Sequence, residues 1–463
     1  MTQAEQISKF TVRATYDKLS KEARKQLKIR ILDTLGCGIG ALGSEPVKAI
    51  QDQVRDFGGN GLCTLIGGGR TSPDRAAFYN SALMRYLDFN DSYLAKGETC
   101  HPSDNLGAVL AACEYADRGG KELLAALAVA YQVQCRLSDV APVRAKGFDH
   151  TTQGSFAVAA GVSRALGLDQ RKTVNALAMA GTAFNALRVT RTGALSNWKG
   201  LAYPNTAFGV THTTFLAMRD ITGPAEVFEG NKGFMETISG PFELDWAKED
   251  LERVTRTIVK KYNAEIHSQS AIEATLELTP AIDKSKIQNI VIDIFDVAFN
   301  IIGGGEEGEK VTVRTKEEAD HSLPYIISVA ILDGQVAPAQ YLPERIKRND
   351  VQALLRKIKI QPIAEFSNRF PAEMPVRIRM GMQGGLVLIK EKSDYEGFYT
   401  RPMQWETVVK KFEQLSQPHI TKALQVEIEE AVNQLEKIQV RELMSLLEKV
   451  NISGGIKNES KKK

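Results

Sequence analysis

Leu87-Asp88-Phe89-Asn90-Asp91 closes one helix, and after a short loop Cys100-His101-Pro102-Ser103-Asp104-Asn105 opens the next. Reading outward, Ser72-Pro73-Asp74 is a helix start: a capping serine, proline at the first helical position, then an acid. The pattern predicts a helix from there to about Leu87. A second helix follows Pro102 and ends at Gly119-Gly120. A third spans Glu122–Asp139, and Asp169 caps another that carries Leu177, Ala178 and Ala180 toward Phe184. The many Ala and Gly residues let such helices approach closely. No nucleotide-binding glycine pattern follows a predicted strand, so nothing reads as a Rossmann half.

The character changes near residue 270. Ile290-Val291-Ile292-Asp293-Ile294 reads as a strand, and Lys357-Ile358-Lys359-Ile360 alternates strictly. Val376-Arg377-Ile378-Arg379-Met380 alternates too, then turns at Gln383-Gly384-Gly385 into Leu386–Ile389, a hairpin signal. From Trp405 to Val450 the pattern is helical again. The fold class expected is mainly α with a second α+β domain. A large all-helical domain would comprise residues 1–268 and be completed by 405–455. Residues 269–404 would form a smaller α+β lid, and 456–463 a disordered tail ending in Lys461-Lys462-Lys463. The run Gly303-Gly304-Gly305-Glu306-Glu307 reads as a mobile acidic loop.

Composition narrows the function class. The 463 residues are 43% apolar and 25% charged, enough for a large core, and the net charge of +3 leaves no basic face for nucleic acid. The longest apolar stretch, Leu123–Tyr131, is far short of a bilayer span of ~20 residues. Met1-Thr2-Gln3-Ala4-Glu5 has no basic region followed by an apolar one, so the cytoplasm is the expected location. Cys37, Cys63, Cys100, Cys113 and Cys135 include no C-x-x-C pair, which argues against a disulfide framework, a structural zinc or an iron–sulfur cluster. No metal and no other cofactor is expected.

Several segments carry residues fit for acid–base chemistry. The loop after Leu87 can bring Asp91 back beside His101. An Asp–His pair fixes an imidazole and tunes it toward neutrality, as general acid–base catalysis requires. The same residues also fit a helix cap and a turn. His150, in Asp149-His150-Thr151, stands just before a small-residue helix whose N-terminus favours an anionic group, and a surface cap is its simpler reading. Arg188, Arg191 and Lys199 cross a loop with Gly193, Gly200 and Pro204 as neighbours rather than a helical charge pattern, which favours carboxylate binding over a solvated face. Lys260, Glu265 and His267 form one further mixed cluster, and Asp320-His321-Ser322 another.

Together these segments resemble the MmgE/PrpD family of 2-methylcitrate dehydratases, cis-aconitate decarboxylases and an iminodisuccinate epimerase. The resemblance runs from Leu32-Asp33-Thr34-Leu35-Gly36 to Asp394-Tyr395-Glu396-Gly397-Phe398. It is carried by Leu87–Asp91, His101–Asn105, Leu187-Arg188 with Arg191, the lysine after Trp198, Ala264–Gln269 and Ala319–Tyr325. His101-Pro102-Ser103-Asp104-Asn105-Leu106-Gly107 follows the dehydratase form, and Asn300-Ile301-Ile302 lacks the tyrosine expected of a decarboxylase. The chain departs from the dehydratases at Ser92–Cys100, where tryptophan-rich sequence is expected, and at Asn263, where proline is.

The resemblance implies a cofactor-independent site between the two domains, a homodimer, and a small polycarboxylate as substrate. It implies site roles for Asp91, His101, His150, Lys199 and Lys260. The expected activity is dehydration of 2-methylcitrate or a related tricarboxylate. The alternatives are a decarboxylase, an epimerase of the same class, or a helical binding protein without catalysis.

Overall fold

The computed structural model describes residues 1–450, so the expected tail 456–463, and residues 451–455 before it, lie outside the described residues. The helix predicted from Ser72 is α4, Pro73–Tyr86, which follows α1 (Gln3–Arg13), α2 (Lys21–Gly40) and α3 (Glu45–Phe57). Ser72 does not cap it through its side chain; its hydroxyl donates to Asp74 instead. After Pro102 comes a 3-10 turn, Pro102–Asn105, and then α5, Leu106–Tyr115. This helix ends at Tyr115, short of the expected Gly119-Gly120, and Gly120 begins α6, Gly120–Val140. The rest of the helical set is α7 (Thr151–Leu166), α8 (Gln170–Ala183) and α9 (Trp198–Met218). Asp169 caps α8 as expected, accepting from the Lys172 amide at 2.8 Å.

Small residues set the helix spacing. A Cβ on Gly154 of α7 would lie 2.5 Å from the Tyr203 ring of α9, so these two helices meet at a distance only glycine allows. Helices α4 and α9, α6 and α7, and α7 and α8 also pack together around one buried apolar cluster. The chain returns to this cluster at the end. Helices Trp405–Ser416, Lys422–Asn433 and Val440–Glu448 place Val408, Phe412, Val432 and Leu443 in it.

A second apolar core runs from Ile258 to Phe398. It is built on a four-stranded mixed sheet. Two short hairpins precede this sheet in the chain, β1 (Cys63–Thr64) with β2 (Arg70–Thr71) and β3 (Tyr93–Leu94) with β4 (Thr99–Cys100). The sheet strands are β5 (Ile287–Ile294), β6 (Ile358–Pro362), β7 (Val376–Met382) and β8 (Val387–Lys392), in the order β6-β5-β7-β8. β5 and β6 are parallel, with Ile290 opposite Ile358, and the other pairs are antiparallel. Strand β7 alternates as predicted, with Val376, Ile378, Met380 and Met382 inward. The turn into β8 uses Gly384 and Gly385 at φ of +88° and +85°, where other residues would be strained. Helix α10, Gln269–Leu278, packs on β7 and β8. The architecture is therefore the expected one, mainly α with an α+β domain. Among the described residues no helix is long and apolar enough to cross a membrane.

Candidate active site

The segment Asp91–His101 folds back on itself. Strands β3 and β4 pair within it, Tyr93 opposite Cys100, and return His101 to the point where the segment began. Ser92 bridges to Ile258 through two main-chain hydrogen bonds of 2.8 Å, so residues 88–92 lie against the chain that presents Lys260.

His101 and Asp91 are neighbours, but not through the expected carboxylate. The Nδ1 of His101 lies 2.9 Å from the main-chain oxygen of Asp91 and 3.0 Å from the Ser92 hydroxyl. The Asp91 carboxylate turns away, accepting from the Ser103 amide at 3.0 Å and the Tyr131 hydroxyl at 2.7 Å. Burial raises its pKa, with Arg30 opposing. Asp91 is thus a brace behind the site, because its side chain is committed to α6 and the 102–105 turn.

Asp88 takes the place in the site that the sequence reading gave to Asp91. It adopts a left-handed φ of +52°, a strained conformation for a non-glycine residue. Its carboxylate meets Arg85 at 2.6 Å, Lys260 at 2.7 Å and Lys199 at 3.4 Å. Burial alone would raise its pKa; Arg85, Lys260 and Lys199 outweigh that and hold it well below the usual carboxylate range.

His150 is brought in by a loop contact. The main chain of residues 147–149 pairs with 186–188, Arg188 N donating to Gly147 O and Asp149 N to Ala186 O, each at 2.9 Å. This sets Arg188 and Arg191 beside His150. Arg191 grips Asp149 with two nitrogens at 2.8 and 3.3 Å, donates to Lys199 O at 2.9 Å, and reaches His150 Nε2 at 3.1 Å. The other nitrogen of His150, Nδ1, is buried without a partner among the described residues. The two imidazoles meet edge to face, ring centroids 5.3 Å apart at an interplanar angle of 72°, and Tyr203 stacks on His150 at 6.1 Å.

Lys199, in the first turn of α9, contacts Asp320 at 2.6 Å and His321 Nδ1 at 2.9 Å. This links the helical domain to the α+β domain. Asp88, Asp320 and His321 could share a metal ion, since their ligand atoms lie within 4.8 Å of one another. In this structure the Lys199 ammonium is the cation they share.

The groups converge on one cavity of ≈ 30 Å³, lined by Arg85, Asp88, Thr99, His101, Arg144, His150, Arg188, Arg191, Lys260, Glu265, Ile301, Glu307 and His321. A site for a water takes roughly 10–15 Å³, so the space suits one or two waters. Burial pushes His101 well below the usual histidine range, with Arg85 and Lys260 adding to the effect. Burial likewise pushes His150 down to about 3, and Asp149 only partly opposes it. His321 is lowered by burial and then by Lys199. Glu265 falls to about 2: burial would raise it, but His267 and more distant cations outweigh that.

The sequence-derived candidates therefore divide. His101, His150, Arg188, Arg191, Lys260, Glu265 and His321 line the cavity. Lys199 and Asp91 stand behind that wall. So does His267, which is buried near Phe295 and Phe370 and whose Nδ1 meets Glu265 at 2.7 Å, so it orients Glu265. Arg85, Asp88, Arg144 and Glu307 were missed. Asp88 had a signal, being the first acid of the Leu87–Asp91 motif. Arg85 and Arg144 had none beyond their proximity to it and to His150.

Two family models match the chain. The MmgE/PrpD N-terminal domain matches residues 5–247, and the MmgE/PrpD C-terminal domain matches residues 262–437. The chain belongs to the MmgE/PrpD family. Among its relatives, the 2-methylcitrate dehydratase of Salmonella typhimurium is 27% identical over 374 residues, 74% of each chain. The mitochondrial 2-methylcitrate dehydratase of Yarrowia lipolytica is 26% identical over 375 residues, 76% of this chain and 71% of its own. The cis-aconitate decarboxylase of Mus musculus is 24% identical over 466 residues, 95% of this chain and 91% of its own. The MmgE/PrpD chain described here is thus similar to enzymes, the dehydratases among them carbon–oxygen lyases, as the sequence motifs imply.

Proposed function

We propose that this protein is a hydro-lyase that dehydrates a hydroxy-polycarboxylate, 2-methylcitrate or a related tricarboxylate such as citrate, to the cis-aconitate-type alkene. The observation that carries this reading is the hydrogen bonding of His101. A carbonyl only accepts, so Nδ1, 2.9 Å from the Asp91 oxygen, carries the proton and Nε2 is left basic. The lowered pKa keeps that nitrogen free to accept a proton at neutral pH.

His150 has the complementary arrangement. A guanidinium only donates, so Nε2 accepts from Arg191 and the proton sits on Nδ1, a donor with no partner among the described residues. In the proposed reaction His101 Nε2 takes the proton from carbon next to a carboxylate. The carbon–carbon double bond forms, the carbon–oxygen bond breaks, and His150 orients the departing hydroxyl. The hydroxyl leaves as water with the proton returned by His101, so the enzyme ends as it began. Arg188 holds a substrate carboxylate, Arg85 and Lys260, each paired with Asp88, add positive field to stabilise the charge that builds there, and Lys199 fixes Asp88 and Asp320.

Decarboxylation is the second reading, supported by the mouse relative's coverage of nearly the whole chain. Dehydration is favoured because Ile301 lines the cavity in the stretch where a decarboxylase tyrosine is expected. Incubating the protein with citrate, 2-methylcitrate, cis-aconitate and iminodisuccinate, with product identification, tests the proposal. A new conjugated double bond with release of water supports it; CO₂ release or racemisation alone overturns it. The homodimer belongs to the proposal too, and light scattering at the mass of a single chain would remove it.

A further inference from the structure

Arg188 and Glu307, which both line the cavity, meet across the domain boundary. Arg188 comes from the loop after α8, and Glu307 from the glycine-rich loop of the α+β domain, where Arg188 Nη2 donates to Glu307 Oε1. The loop read from the sequence as a mobile acidic one turns one of its two acids inward: Glu306 is exposed, but Glu307 is buried. Main-chain bonds hold that turn, Glu307 N to Asn300 O at 2.9 Å and Gly308 N to Gly305 O at 3.0 Å. The second carboxylate oxygen of Glu307 is buried and accepts no hydrogen bond among the described residues. Leaving such an oxygen unsatisfied is unfavourable.

The other cations of the cavity are committed to the protein's own acids. Arg85 and Lys260 hold Asp88, and Arg191 holds Asp149. Arg144 is different: its Nε is buried without a hydrogen-bond partner among the described residues, and Glu98 is 3.7 Å away. Arg188 would be equally uncommitted without Glu307, since Asp149 lies 3.8 Å from it. The site therefore has two arginines suited to ligand carboxylates, and a protein carboxylate sits on one.

We propose that Arg188 is a substrate-carboxylate subsite that Glu307 fills until a substrate carboxylate displaces it, which makes Glu307 a specificity-determining residue. The inference rests on the polycarboxylate reading above and deepens it. Space points the same way: the cavity of ≈ 30 Å³ is small for a tricarboxylate, and Glu307, which lines it, closely follows Gly303-Gly304-Gly305. Exchanging one carboxylate for another on Arg188 keeps the buried charge balanced. An acid with a single carboxylate gains nothing from that exchange; an acid with two or more also reaches Arg144.

Calorimetric binding of tricarballylate, a tricarboxylate with no hydroxyl to eliminate, and of lactate tests this on wild type, E307Q and E307A. Removing the competing charge-assisted bond is expected to tighten tricarballylate by about tenfold or more and to make lactate binding measurable. R188Q/E307Q is expected to lose the improvement. E307D, whose shorter side chain loosens the contact with the charge retained, should fall between and serves if the other variants do not fold. Unchanged or weaker tricarballylate binding in folded E307Q overturns this inference alone. Absence of binding in every protein, wild type included, overturns the polycarboxylate reading with it.

Discussion

His101 is oriented by the main chain of Asp91: its Nδ1 lies 2.9 Å from the Asp91 carbonyl oxygen, while the Asp91 carboxylate is held by Ser103 and Tyr131. The substitution D91N leaves that carbonyl in place and keeps one oxygen for the Ser103 amide. It is expected to retain kcat within about tenfold of wild type, the scale of losing one neutral hydrogen bond. D88N removes the carboxylate that organises Arg85, Lys199 and Lys260, and should lower kcat/KM by about 10²–10³-fold. H101Q should lose about 10²–10⁴-fold with the fold intact. Steady-state kinetics with circular dichroism check all three, and D91N as inactive as H101Q would show that the carboxylate matters directly.

The histidines set the pH profile. Burial lowers His101 well below the usual range and His150 to about 3. A lowered pKa leaves the neutral form fully present above the ordinary histidine value of ~6.5, and that form is lost only as pH falls through the lowered value. The profile of kcat/KM, which reports the free enzyme, should therefore show no acid limb from these groups between pH 6.5 and 8. A bound polyanion adds negative charge beside both rings and raises their pKa values. The acid limb of kcat should accordingly lie at higher pH than that of kcat/KM. Profiles in which the two limbs coincide near pH 6.5 would count against His101 as the base.

Lys411 reaches the site from the last part of the chain. Its ammonium meets the Asp33 carboxylate at 2.7 Å and donates to the main-chain oxygens of Phe89 at 2.7 Å and Lys260 at 2.9 Å. It thus ties together the two segments that present Asp88 and Lys260. K411M strands Asp33 in the core and should destabilise the protein by about 3–5 kcal/mol. K411M/D33L removes both charges and should recover most of that stability. Its kcat should stay low, because nothing then holds Phe89 and Lys260 in register. Denaturant melts paired with kinetics separate the two effects; a double variant with both wild-type stability and wild-type kcat would rule out the positioning role.

Legibility followed the range of the signal. Helix starts, the period-two strands and the Gln383–Gly385 turn are local patterns, and they reappear in α4, α8, β7 and β8. His101, His150 and Arg191 could be found because each sits in a polar boundary segment, where functional side chains concentrate. The choice between Asp88 and Asp91 depended on a backbone angle and on Lys260, far away in sequence, which no local pattern carries. Arg85 is the last-turn arginine of an ordinary helix, and Glu307 looks like a solvated acid after glycines. Both enter the site only through tertiary contacts. His267 differs again: its spacing from Glu265 is legible in the sequence, and its ring lies 5.7 Å from both Phe295 and Phe370 behind the cavity wall, a placement that only the fold reveals.

Gly154 gives a test of how tightly helix packing controls the chemistry. A Cβ at this position would lie 2.5 Å from Tyr203 Cε2. The Tyr203 ring stacks on His150, and its hydroxyl donates to Asn105 at 2.9 Å, in the same turn that follows His101. G154A must therefore push Tyr203 away from both histidine-bearing segments or spread α7 from α9. Overpacking of this kind costs about 1–3 kcal/mol. Displacing His150 by even part of an ångström should lower kcat by about 10- to 100-fold. G154A/Y203A removes the clashing ring and should raise the melting temperature above that of G154A. It should not restore kcat, because the stacking partner of His150 is gone. Thermal melts and kcat for the single and double variants decide the matter. A G154A protein with wild-type melting temperature and turnover would mean that the α7–α9 contact has slack and does not set the geometry of His150.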